Sequence, residues 1–189
     1  MNQQVRLRDG TNAVIRPFLP ISREAIEEAY SELSLESQYR RFLTAVPHLT
    51  DIMLHHLVDE IDGVNHIALV LVLEPDEGPE SIVGVVRIVR YSSEPKSADV
   101  AVTVRDEWCG RGAATALLEA LMRQRPEGVT RIVTVVAVDN AASLAMLRRL
   151  GDSHATPTDQ DTLEVVVVDL PESPGRDNAL RVKAGGDNT

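Results

Sequence analysis

Residues 100–121 read VAVTVRDEWCGRGAATALLEAL, and they parse into a strand, a glycine loop and a helix. Ala98, Val100, Val102 and Val104 alternate with Asp99, Ala101 and Thr103, which marks a strand over 98–104 with two chemically different faces. Gly110 and Gly112 follow, and the pattern predicts a helix over 110–124 with Leu117, Leu118, Leu121 and Met122 on one side. Small residues Gly112, Ala113 and Ala114 let a ligand approach the backbone, and a helix start leaves main-chain N–H groups without partners. Such donors at the positive end of a helix dipole suit a phosphate or pyrophosphate, and Arg111 could add a charge-assisted bond. A tight turn that binds nothing would carry the same glycines, so the loop by itself leaves both readings open.

Upstream, His66–Leu73 and 81–89 are further Val/Ile-rich runs, separated by the turn segments EPDEGPE and YSSEPKS. With 98–104 they read as three successive antiparallel strands. Nearer the N-terminus, 5–8 and 13–16 flank a DG turn and form a hairpin, closed by Pro17 and Pro20. Ser22 can cap a helix reaching about Ser31, Leu35, Tyr39, Phe42 and Leu43 mark a second, and Thr50 opens a third. Downstream come a strand over 129–138, a helix over 140–150 stopped by Gly151, and a strand over 163–169. Only six residues are aromatic (Phe 2, Tyr 3, Trp 1), so the core has to be built from Val, Leu, Ile and Ala. The order ββ-ααα-βββ-α-β-α-β predicts one α+β, or mixed α/β, domain over 1–170. Residues 171–189, PESPGRDNALRVKAGGDNT, lack an apolar face and are expected to be a disordered tail.

The composition excludes several classes. A net charge of −10 argues against nonspecific nucleic-acid binding, which depends on neutralising phosphates. The longest unbroken apolar stretch, 67–73, is too short to span a bilayer, and MNQQVRLRDG has no apolar segment of a signal peptide. Cys109 is the sole cysteine, so no internal disulfide or thiolate zinc cluster forms. His48, His55, His56 and His66 share no ligand spacing, and no metal is expected. The chain reads as soluble and cytoplasmic, a monomer or homodimer, with no nucleic-acid or membrane partner. Among phosphate loops, a Walker motif is excluded because no Gly-Lys-Ser/Thr follows. A dinucleotide fingerprint is opposed by Thr115 at the third glycine position and by the antiparallel strands that precede the loop.

The segment from Val104 through RDEWCGRGAA resembles the acyl-CoA signature of the GNAT superfamily of N-acyltransferases, Gln/Arg-x-x-Gly-x-Gly/Ala after a strand. Gly112 and Ala114 fill its small positions, and Cys109 stands where Gln or Arg is usual. Further on, DNAASLAMLRRLG resembles the second signature, an Asn-x-x-Ser helix ending in Gly, matched by Asn140, Ser143 and Gly151. IRPFLP and LSLESQYRRFL are similar to a bacterial subgroup that includes protein-lysine acetyltransferases. The likeness covers about residues 5–170. It implies a central twisted sheet flanked by helices, with acetyl-CoA as acyl donor. It also implies that backbone groups of Val102, Thr103 and Val104 meet the pantetheine arm. Cys109, Gly110, Arg111, Gly112, Ala113 and Ala114 would wrap the pyrophosphate, and Asn140 and Ser143 would lie near the pantetheine. Asn140 is also a good N-cap, and the two roles are compatible.

In the lysine-acetylating subgroup the base is an acid two positions into the strand before the loop, normally Glu. Asp99 holds that place, one methylene shorter; a solvated edge aspartate is the competing reading, and Glu107, in the phosphate loop, is the weaker alternative base. Leu147 stands where many members have a Tyr that protonates the CoA thiolate. Cys109 as nucleophile finds no His/Asn arrangement in support. The resemblance therefore implies an N-acetyltransferase acting on an amine, a protein lysine or a small molecule, by direct attack in a ternary complex. The alternative is a non-catalytic acyl-CoA sensor.

Overall fold

In a computed structural model of the chain, residues 2–18, 23–73 and 81–170 are described. Among them eight strands form one sheet in the order β1-β2-β3-β4-β5-β6-β8-β7. The hairpin is β1 (Gln3–Arg6) with β2 (Asn12–Pro17), and the Val/Ile runs are β3 (His66–Leu73), β4 (Ser81–Arg90) and β5 (Ser97–Val104). All of these pair antiparallel, as their turn-separated pattern requires. β6 (Arg131–Ala137) lies parallel to β5, while β8 (Thr162–Val168) pairs antiparallel with β6 and with β7 (Asp152–Pro157). The sheet is mixed and mostly antiparallel.

Helices cover both faces. α4 (Ala113–Gln124) packs Leu117, Leu118 and Leu121 onto Val86, Ile88, Val100 and Ile132. The opposite face carries α1 (Arg23–Ser31), α2 (Leu35–Phe42) and α3 (Asp51–Leu54), which runs on as a π-helical turn, His55–Asp59. Here Ile26, Tyr30, Leu54 and Val58 close over Val14, Ala68, Val70 and Val72. α5 (Ala141–Leu147) follows β6. No helix among the described residues is long and apolar enough to cross a membrane.

Three details differ from the sequence reading. The polar strand β7 has no apolar alternation, because it is an exposed sheet edge rather than a half-buried strand. In α2 the apolar pattern misleads: Leu35 is 82% exposed, whereas Gln38 is buried and donates its amide to the carbonyls of Tyr30 and Leu33 at the end of α1. α4 begins at Ala113 rather than 110, since Gly110 (φ 77°) and Gly112 (φ 91°) adopt left-handed conformations. The expected Ser22 cap and the 171–189 tail lie outside the described residues.

Candidate active site

The two middle strands part company. β5 and β6 are paired only at Ser97↔Arg131 and Ala98↔Ile132, and beyond that point they splay. The Arg105 N–H donates to the Val83 carbonyl and the Tyr91 N–H to the Ser97 carbonyl, so the odd-numbered residues of β5 turn their main chain toward β4. Val100, Val102 and Val104 therefore turn theirs into the splay. The Thr134 hydroxyl, reaching across from β6, donates to the Val100 carbonyl at 3.2 Å. Beyond it the Val102 main chain borders open cleft, and Val104, on the same edge, has no partner in β6. Thr103, expected to serve beside them, has its main chain committed to the β4 ladder, and its side chain faces a second cavity under α1.

The cleft in the splay brings together Asp99, Val102, Asn140 and Ser143, which are far apart in sequence. Asp99 is half-buried, on the α1–α2 face as the alternation requires. The Asn140 side chain accepts from the Ser143 N–H at 3.1 Å, so it caps α5 while bordering the cleft. Leu147 is buried, and the phenol that borders the cleft is Tyr91, whose hydroxyl donates to the Val133 carbonyl at 3.1 Å. Burial first, then the Asp99 carboxylate, push the Tyr91 hydroxyl above its ordinary value, so it keeps its proton.

The glycine loop leads into α4, whose N-terminus has Gly112 as N-cap and no side-chain capping bond. The first-turn amides of Ala113 and Ala114 are thus left as donors. Arg111, read as an anion ligand, is turned to Asp9 (3.1 Å) and stacks over Trp108, with Cζ 4.7 Å from the ring centroid. Its carbonyl accepts from the Arg8 N–H at 2.9 Å, which fastens the loop to the β1–β2 hairpin. Cys109 is exposed as a residue, yet burial around its sulfur and the Asp106 carboxylate raise the thiol above its ordinary value. It is poorly suited to be a nucleophile.

Several participants were invisible in the sequence. Asp106 accepts from the Ser34 N–H (2.9 Å), the Ser34 hydroxyl (2.9 Å) and the Ser37 hydroxyl (2.7 Å), tying the loop to the start of α2. Burial opposes its ionisation, but these bonds outweigh it and hold the carboxyl below its ordinary value. Arg40 and Arg41, at the end of α2, border the cleft opposite α5. Arg40 lies 2.6 Å from Glu36 and 3.9 Å from Asp139. The sequence signal was QYRRF, two cations closing a short helix, but nothing local says that they cross to β5 and α5.

Comparison with known proteins places this arrangement of splayed strands and glycine-led helix in a family. Residues 16–152 match the acetyltransferase (GNAT) domain family. The chain belongs to the GNAT acetyltransferase domain family. It is 34% identical over 148 residues to acetyltransferase Pat of Mycolicibacterium smegmatis, covering 78% of this chain and 43% of that protein. The GNAT domain of S. lividans PAT superposes with a TM-score of 0.75 at 25% identity, covering 88% of this chain and 96% of that one. A mutant form of a cAMP-binding acyltransferase from Mycobacterium smegmatis gives 0.59 at 30% identity, over 95% of this chain and 51% of that one. This chain thus spans less than half of the Pat sequence it matches.

Proposed function

We propose that the chain, as a single catalytic domain over residues 1–170, acetylates an amine by direct attack within a ternary complex, in the cytoplasm. The observation that carries this reading is the splay. It leaves the Val102 main chain open to a ligand within one cleft of Asp99, while Val104 on the same unpaired edge leads toward the loop and the uncapped start of α4. Acetyl-CoA supplies an activated thioester. The α4 amides and the loop from Cys109 to Ala114 hold its pyrophosphate, and the Val102 N–H donates to the thioester carbonyl as negative charge develops there. Asn140 and Ser143 flank the pantetheine. The amine enters from the Asp99 face, the new N–C bond forms as the C–S bond breaks, and Asp99 takes the amine proton directly or through water. Coenzyme A leaves as thiolate. The likeness to the lysine-acetylating subgroup supports a protein lysine as acceptor, while a second cavity under α1, which meets the cleft at Arg41, Phe42 and Ala101, supports a small amine.

The test is thermal stability with acetyl-CoA, coenzyme A and NAD at matched concentration. A ligand at about 100 times its dissociation constant adds roughly 2.7 kcal/mol. Stabilisation by acetyl-CoA and not NAD is expected, and no response to acetyl-CoA would refute the cleft assignment. Stabilisation without turnover of any amine would favour the sensor.

A further inference from the structure

The second cavity lies beneath α1 and α2 against β4 and β5, walled by Tyr30, Leu33, Phe42 and Val85 and bordered by Arg41 and Arg87. It meets the acetyl-CoA cleft at Arg41, Phe42 and Ala101, which border both. Asp99 borders the same cleft as Arg41, and by alternation along β5 it is the next residue on the same face as Ala101, which pairs with Arg87 on β4. The acceptor side of the site thus holds two cations against one carboxylate.

Neighbouring cations already have their acids. Arg105 lies 3.3 Å from Glu32 and 3.0 Å from Glu107, and Arg40 takes Glu36. Among the described residues, neither Arg41 nor Arg87 has a carboxylate within ion-pair distance. Arg87 is 8% exposed, donates through Nη1 to the Leu57 carbonyl at 3.1 Å, and has His66 Nε2 at 3.5 Å. His66 brings no negative charge, and burial and then Arg87 lower its imidazole below the ordinary value. Arg41 stacks on Phe42, 4.9 Å from the ring centroid. Burial, and after it the Arg41 charge, push the Arg87 guanidinium down to about 9, so the pair is short of counter-charge.

We propose that the acceptor is a small amine carrying its own carboxylate, an amino acid by chemical class, with the carboxylate on Arg41 and Arg87 and the amine turned to Asp99. This rests on the acetyl-transfer reading given above. A guanidinium fork matches a carboxylate, and the aliphatic and aromatic walls of a cavity of about 70 Å³ suit a small apolar side chain. A lysine in a polypeptide brings another cation to this place and no anion. The chain's overall acidity favours cations only at long range, whereas the local excess at the acceptor is positive.

The test pairs amino acids with their decarboxylated amines: L-leucine with isopentylamine, L-phenylalanine with phenethylamine, L-lysine with cadaverine, and beside them a peptide with an internal lysine. Each is read by thermal shift in the presence of coenzyme A and by acetyl transfer from acetyl-CoA. For at least one pair, the carboxylate-bearing member should stabilise the protein and show kcat/KM about tenfold or more above its partner. R41Q should bring that ratio close to one, and R41K, which keeps the charge and loses the fork, should retain part of it. An equal or larger response to the decarboxylated amines or the peptide overturns the proposal. So does silence from every amino acid while acetyl-CoA still stabilises, or a ratio untouched by R41Q in a variant that melts like the parent. Absence of any acetyl-CoA response is a different failure: it removes the acetyltransferase reading itself and this inference with it.

Discussion

The two faces of the sheet are built from the same strands and do different work. Beneath α4 the face is almost wholly aliphatic, with Thr134 its polar exception: Val86, Ile88, Ala98, Val100 and Ile132 meet Leu117, Leu118 and Leu121, each nearly or wholly shut from solvent. Beneath α1–α3 the same strands present Ala68, Val70 and Val72, but also His66, Arg87 and Asp99. One face spends its burial on stability, and the other gives some up to hold charge beside a cleft. Substitutions on the first should move the melting temperature, and substitutions on the second should move the chemistry.

The largest effect tests the polar face. On the proposed mechanism Asp99→Asn keeps the shape and removes the proton acceptor, so turnover should fall by about two to four orders of magnitude. Its melting temperature should stay within a few degrees of the parent. Steady-state kinetics with a saturating amine, set beside a melting curve, reads both. Unchanged turnover would move the base elsewhere. The counterpart is Leu117→Ala on the α4 face, which is wholly buried and should cost about 3 kcal/mol. Urea denaturation reads that loss, and acetyl-CoA should still bind the folded fraction. If Asp99→Asn were the less stable of the two, the division between the faces would be wrong.

That division also explains what could be read from the sequence. Period-2 and helical-period hydrophobicity report burial, so the α4 face, β3 to β5 and β8 were legible, as was the side of β5 that Asp99 takes. The glycine loop was legible because φ values of 77° and 91° call for that residue type. The splay was not, since it depends on where β6 leaves β5, and no residue announces it; the Thr134 bond to the Val100 carbonyl at its fork is a contact between distant segments. Arg41, Arg87 and Asp106 were missed for the same reason. Charge in a sequence reads as surface, and here long-range packing buries Arg87, half-buries Arg41 and ties the exposed Asp106 to the start of α2. β7 and α2 mislead from the opposite direction, one an edge strand with no apolar side, the other a helix whose buried contact is the Gln38 amide.

Between the faces lies the loop, and Gly112→Ala is expected to have an intermediate effect. At φ 91° a side chain is strained, and its Cβ would come within 3.0 Å of Arg8 Cγ. The cost should be about 1–2 kcal/mol of stability, with weaker acetyl-CoA binding as the hairpin and loop move apart. Gly110→Ala is the control: its φ is 77°, but a Cβ there meets nothing within 4 Å. It should be strained without disturbing Arg8. Equal melting losses in the two would show that the hairpin contact adds nothing.

The smallest effect lies at the entrance to β3, just ahead of His66. Asp62 Oδ1 accepts from the main-chain N–H groups of Val64 (2.8 Å), Asn65 (2.7 Å) and His66 (2.8 Å). Burial works against the charged form, but the three amides and the Asn65 side chain outweigh it and lower the carboxyl from 3.8 to about 2. A carboxyl held below its unfolded value stabilises the fold only while ionised. Its contribution is therefore complete at neutral pH and is lost as pH falls from about 4 through about 2. The side chain is solvent-exposed, so after discounting for screening Asp62→Ala should cost only about 1 kcal/mol near pH 7. Melting curves of parent and variant should converge as pH drops through that window. Other carboxylates, Asp59 and Asp106 among them, are also held low, so both curves fall with acid and only their difference isolates Asp62. A gap that persists at the acid end would mean that the turn is shaped by the side chain's bulk and neutral hydrogen bonding, with its charge contributing nothing to the polar face.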